Sequence, residues 1–337
     1  MGAGKIHTSK LDNFVKECDN LGGPENPNAR NYLLDFYLKF DTKVDQNLDP
    51  FSNDYYQSQI DLYKEISGRS IDQSTWEQAP VEVEKSIFGV NPYGSNDINF
   101  ISKHSRAVLT TLYLANLPPS GKILDMGSGW GLSSEIIAFC GGHVTCVDIN
   151  PLFIELNKRR ITRLNLPVEI KLSNFDSYED DQKYDLVLFY ESLHHSVKPW
   201  ETIKHISKFV NSNGKVAFAG EPINKLFWKN WGLRLDPLSV YCIRKFGWFE
   251  SGWSKKFISK AFEYAGLKLI LYPGVGLNHG YIGIATKSSE HLNPKQSFNL
   301  DIASSSFHSN LAANHLSYEQ IVFLRKAIDT LKAILKM

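Results

Sequence analysis

The residues most able to do chemistry open with Ile123, Leu124, Asp125, Met126, Gly127, Ser128, Gly129, Trp130, Gly131, Leu132, Ser133 and Ser134. An apolar run ends in an acid, and glycines then recur at every second position. Glycine suits such a turn because it takes up left-handed backbone and lets a ligand lie against bare main chain. The spacing is GxGxG, with Leu132 where a dinucleotide loop wants its third glycine. Asp125 is unfavourable beside a pyrophosphate and favourable beside an ammonium group. Asp148 ends the run HVTCVDI, 17 residues beyond Gly131 (148 − 131), where an acid accepts both hydroxyls of a ribose.

These features describe a ligand with an adenosine-like ribose and a cationic amino end but no diphosphate, and S-adenosylmethionine fits. The elements that must position the loop follow from the texture of the chain. From Gly121 to about Lys287, short β-type runs (KILDM, HVTCVDI, VEIKLS, YDLVLFY, GKVAFAG, LKLILY, YIGIAT) alternate with helical stretches. Such alternation predicts a parallel sheet flanked by helices. Only Pro273 to Gly280 separates the last two runs, too few residues for a crossover helix, so they pair as an antiparallel hairpin at the sheet edge.

Residues 121–287 resemble the class I S-adenosylmethionine-dependent methyltransferases. The likeness rests on the DxGxGxG loop, the acid ending the second strand and NFDS after the third. It continues with YDLVLFYESLHH across the fourth, the PWETI helix, NGKVAFAG at the fifth and the terminal hairpin. It implies a Rossmann-like α/β fold, a seven-stranded sheet whose last strand is antiparallel. It implies that Asp125, Gly127, Ser128, Gly129 and Gly131 hold the methionine end of the cofactor, Asp148 the ribose, and Asn174, Phe175 and Asp176 the adenine, with Tyr190 also on the cofactor side.

Methyl transfer is an in-line displacement, so the protein aligns the nucleophile and, for a hydroxyl, removes its proton. Glu191, His194 and His195 stand at the end of the fourth strand and Glu221 follows the fifth. His195 is the preferred general base, since imidazole suits proton removal near neutral pH. Either histidine could instead brace the loop. Glu191 and Glu221 could orient that histidine, bind the acceptor, or cap a helix. Oxygen and nitrogen ligands are present, but no compact spacing signals a metal site, and none is expected.

Additions surround this sheet. Residues 1–119 read as a helical N-terminal extension with helices in Asp54 to Ser67 and Asp97 to Asn116, the latter presenting Ile98, Ile101, Ser105, Val108 and Leu112, and with no strand ladder. An insert at 222–253 holds four of the seven tryptophans and is expected to lie over the site as a lid or acceptor pocket, though its tryptophans could equally form a small core. After a polar linker from 288, Ile321, Leu324, Ile328, Leu331 and Leu335 follow heptad spacing, a candidate seam for a homo-oligomer or a helix docked on its own domain.

The 37 basic residues against 36 acidic ones give a net charge of +1, which favours neither nucleic acid nor an anionic membrane. Four cysteines without a CxxC pair suggest reduced thiols. No apolar run approaches the roughly 18 residues of a membrane span, and the start carries neither signal peptide nor myristoylation signal, so a cytoplasmic setting is expected. The expectation is an O-methyltransferase of a sugar or other small-molecule acceptor. Amine or carboxylate methylation, a nicotinamide oxidoreductase and a non-catalytic partner subunit are the alternatives.

Overall fold

The computed structural model describes residues 2–71, 77, 82–223, 227–273 and 281–288. The described residues divide into two compact units, one within 77–223 and 255–288 and the other within 2–71 and 227–254.

The sheet unit contains β1 (Lys122–Met126), β2 (His143–Asp148), β3 (Val168–Leu172), β4 (Tyr184–Tyr190), β5 (Val210–Ala219), β6 (Lys268–Pro273) and β7 (Tyr281–Thr286), in the spatial order β6-β7-β5-β4-β1-β2-β3. Strands β1 to β5 run parallel, whereas β7 is antiparallel to both β5 and β6. The expected hairpin is therefore present, with its turn outside the described residues. The reversed strand also departs from the 3-2-1-4-5-6 parallel order of dinucleotide folds. β1, β2 and β4 are buried along nearly their whole length, as continuous apolar runs in a two-sided parallel sheet must be.

Helices α1 (Ile98–Ala115), α2 (Leu132–Phe139), α3 (Pro151–Leu164), α4 (Pro199–Ile206) and α5 (Lys255–Tyr264) flank the sheet. Asp97 caps α1 by accepting from the amides of Asn99 and Phe100. Asn150 caps α3 ahead of Pro151, and Asn165 ends it in the left-handed region. The expected inward face of α1 needs correction. Its buried residues are His104, Ala107, Val108, Thr111, Leu114 and Ala115, while Ile98 is 82% exposed. Small residues at 107, 111 and 115 permit close packing against β5, β7 and α2, and that geometry overrides the apolar count.

The second unit packs the first part of the N-terminal extension with the tryptophan-rich insert. Its helix Asn53–Ser67 runs from a Ser52 cap to Gly68 in the left-handed region. Tyr55 and Tyr63 donate to the carbonyls of Trp231 and Gly247, Gln59 Oε1 accepts from the Leu233 amide at 3.0 Å, and the Trp231 indole donates to the Pro50 carbonyl at 2.7 Å. Arg244 grips Asp12 with two bonds of 2.8 Å, joining helix Pro237–Phe246 to helix Leu11–Asn20. Two short strand pairs, Lys5–His7 with Tyr37–Lys39 and Trp231–Leu233 with Ser251–Trp253, are also present. Trp228, Trp231 and Trp253 are buried and Trp248 is half-buried against Phe246. The packing fits the small-core alternative, with the Trp228 and Trp231 indoles donating to the Leu233 and Pro50 carbonyls. The C-terminal heptad segment lies outside the described residues.

Candidate active site

The C-terminal ends of β1, β2, β4 and β5 bring together the glycine loop, Asp148, Glu191 to His195 and Glu221. Gly127, Gly129 and Gly131 have φ of 72°, 50° and 88°. A Cβ on Gly127 would lie 2.6 Å from the Ser192 Cβ, and one on Gly131 would lie 1.9 Å from Asn157 Oδ1, so both positions exclude larger residues. A Cβ on Gly129 would meet nothing within 4 Å, leaving bare backbone open to approach. The amides of Gly127 and Ser128 donate to the Val147 carbonyl at 2.8 and 3.0 Å, and Asn157 Nδ2 donates to the Gly129 carbonyl at 2.9 Å. The loop is therefore held from β2 and α3.

Asp148 Oδ2 accepts from the Gly129 amide and Oδ1 from the Asn150 amide, both at 2.8 Å. Burial outweighs these bonds and pushes its pKa from 3.8 up to about 6, with Glu77 adding repulsion and His195 a small opposing attraction. Asp125 is fully buried beneath the loop. Its Oδ2 accepts from Ser133 Oγ and Ser134 Oγ at 2.7 and 2.6 Å, while Oδ1 has no hydrogen-bond partner among the described residues. Burial raises its pKa against the lowering effect of the two hydroxyls. Ser128 points inward, its Oγ 2.9 Å from Cys146 Sγ, so only its backbone can serve the loop.

The residues after β3 have more local partners than their expected adenine role implies. Asn174 Oδ1 accepts from the Asp176 and Ser177 amides at 3.0 and 2.8 Å, which closes a turn. Asp176 is exposed, with Oδ1 accepting from Thr202 Oγ1 at 2.8 Å. Phe175 is half-buried, edge-on to Phe189 at 5.6 Å, and its Cζ would be 3.1 Å from a Gly127 Cβ.

Glu221 has a fully buried side chain. Oε1 accepts from the amides of Ser192 and Leu193 at 2.9 and 2.8 Å, and Oε2 from the amide and Nδ1 of His194 at 3.0 and 2.8 Å. Of the roles open to it, Glu221 has the geometry of capping the turn Leu193–His195 and orienting His194. His195 is half-buried, stacked on His194 at 4.2 Å, with Nδ1 3.5 Å from Glu77 Oε2.

A further cluster has no motif to announce it. Tyr190 turns its hydroxyl to His104 Nδ1 at 2.6 Å instead of to the glycine loop, and Glu191 Oε2 lies 3.5 Å from the same nitrogen. Tyr93 and Phe100 pack on the His104 ring at 5.4 and 4.4 Å, and Trp130 lies 6.1 Å from Tyr93. Burial, with the charges of Glu191 and Asp125, raises the Tyr93 pKa. A lone histidine in a helix carries no sequence signal, and its partners lie 86 and 87 residues away (190 − 104 and 191 − 104).

Residues 124–216 match the family model of a methyltransferase domain. The ubiquinone biosynthesis O-methyltransferase of Xanthomonas oryzae pv. oryzae is 23% identical over 176 residues, which are 51% of this chain and 64% of that protein. Its namesake from Proteus mirabilis is 30% identical over 109 residues, 32% of this chain and 44% of the relative. The chain thus spans less than two thirds of the length of these relatives. Among solved structures, the magnesium protoporphyrin IX methyltransferase of Synechocystis aligns with 17% identity and a TM-score of 0.42, over 58% of this chain and 88% of that one. Residues 124–216 are thus a methyltransferase domain, and with the glycine loop, Asp148 and the sheet ending in a reversed strand they carry the features of the class I S-adenosylmethionine-dependent type.

Proposed function

We propose that this chain transfers a methyl group from S-adenosylmethionine to a hydroxyl oxygen of a small molecule. The observation that carries the reading is the bare backbone at Gly127 to Gly131, held between Asp148 and a buried Asp125 oxygen that has no donor among the described residues. The donor set fits the cofactor. Asp148, already taking one amide on each oxygen, retains lone pairs for two ribose hydroxyls. Asp125 supplies negative potential for an ammonium group, and its unsatisfied oxygen is costly without a cation or donor nearby. Phe175, beside Gly127, offers a ring edge to an adenine.

When bound, the cofactor supplies an electrophilic methyl carbon: the acceptor oxygen bonds to it, the carbon–sulfur electron pair stays on sulfur, and the acceptor loses a proton. The protein orients the acceptor and receives that proton at the C-terminal end of β4. The His194–Glu221 pair keeps that end rigid. Oxygen is preferred as the acceptor atom because the curated relatives are named O-methyltransferases. A sugar remains one such acceptor, although the buried tryptophans withdraw the aromatic platform that favoured it.

The test is incubation of the purified chain with methyl-labelled S-adenosylmethionine and separate panels of sugars, phenols, carboxylic acids and amines. Labelled product that survives mild alkali supports an ether. Label released as methanol by alkali, or found only on amines, overturns the oxygen reading in favour of carboxyl or amine transfer.

A further inference from the structure

Resting on that reading, we propose that Glu191 and His104 form the acid–base pair that receives the acceptor proton. Glu191 meets the hydroxyl, and His104 is the positioning residue that holds Glu191 and shares the proton. Three elements converge to make the pair. Glu191 directly follows β4, His104 projects from α1, and Tyr190 fixes the imidazole through its hydroxyl.

The backbone at Glu191 is unusual. Its φ is +50°, in a region that is strained for a non-glycine residue and that persists where surrounding structure enforces it. Gly220 stands opposite, and a Cβ there would lie 2.3 Å from Glu191 Cγ, so the neighbouring strand end makes room for this side chain. The Glu191 side chain is 30% exposed and that of His104 only 8%, which places the carboxylate at the open side and the imidazole behind it.

The pair also lies at the appropriate end of the site. Tyr93, packed on His104, feels both Glu191 and Asp125, the group assigned to the amino end of the cofactor. His195 instead acts on Asp148, the ribose acid, and pairs with Glu77. The transferable methyl is carried between ribose and amino acid, which favours Glu191 and His104 over His195 as the receiving group. In the step, the acceptor oxygen bonds to the methyl carbon and the sulfur keeps the electron pair. The proton passes to the Glu191–His104 pair and is later released to water. Among the described residues, the titratable groups seen against His104 include Glu191, Tyr190 and Tyr93.

The test uses the whole chain with 13C-labelled histidine, titrated by NMR with S-adenosylhomocysteine or with S-adenosylmethionine bound. Signals are assigned with His104→Gln and His195→Gln. The two ligands differ by one methyl and one positive charge. The cationic ligand should depress the His104 pKa by about 0.5 unit or more relative to the neutral one, and that of His195 by less. Glu191→Gln should lower the His104 pKa by about 1 unit while S-adenosylhomocysteine still binds. If both ligands bind but His195 alone moves, or if Glu191→Gln leaves His104 unchanged, the pair is overturned. Absence of binding by either ligand to the wild-type chain would instead overturn the cofactor reading beneath it.

Discussion

Asp148 carries the clearest consequence at the scale of single residues. Its pKa of about 6 in the folded chain exceeds the ordinary 3.8, so the folded state holds a proton that the unfolded chain releases. Its contribution to stability is full below about pH 4 and is lost as pH rises through about 6, a difference of about 3 kcal/mol if nothing else compensates. Asp148→Asn should therefore flatten that part of the stability profile, as read from urea unfolding at pH 4.5 and 7.5. Ligand binding has the opposite sign, since ribose hydroxyls favour the ionised carboxylate. S-adenosylmethionine should bind more tightly at pH 7.5 than at pH 5, by up to about tenfold per pH unit below 6, and calorimetry at the two pH values checks this. Gly131→Ala should cost about 1–2 kcal/mol from the left-handed backbone alone, before its clash with Asn157, and thermal unfolding measures it. The glycines and Asp148 were legible because strand ends and loop spacing fix their place. The depth of Asp125 was not, because Ser133 and Ser134 reach it only after α2 forms.

Arg160 shows how elements are locked together around the site. Buried in α3, it grips Glu135 of α2 through Nε and Nη2, and Nη1 donates to the carbonyls of Ser86 and Gly89 at 2.5 and 2.9 Å. It thereby anchors the segment leading to Tyr93. Arg160→Ala leaves the Glu135 carboxylate without its guanidinium partner and takes one donor from each of two carbonyls, and should destabilise the protein by about 3–5 kcal/mol in urea unfolding, with Arg160→Lys recovering only part because lysine lacks the fork. Strand order and the terminal hairpin could be read from the alternation of runs. The phase of α1 could not: apolar spacing pointed to Ile98 and Ser105, but close packing on the sheet selected Ala107, Thr111 and Ala115, and with them His104. The acid–base cluster was hidden by that same shift.

Over the whole molecule, the separate core of residues 2–71 and 227–254 changes the meaning of the tryptophan-rich insert. Trp231 is fully buried, and Trp231→Ala should destabilise its unit by about 3–5 kcal/mol. Hydrogen exchange should accordingly rise first in peptides from 2–71 and 227–254. Composition alone could not separate an aromatic pocket from an aromatic core, since both require the same residues. The central claim is that the Gly127–Gly131 loop and Asp148 hold S-adenosylmethionine, and isothermal titration calorimetry of the wild-type chain and Asp148→Ala tests it most directly. The account predicts saturable one-site binding to the wild type and at least about tenfold weaker binding to the variant, the least expected from losing a charged hydrogen-bond acceptor. No saturable binding to the wild type, or equal affinity in the two proteins, would contradict it.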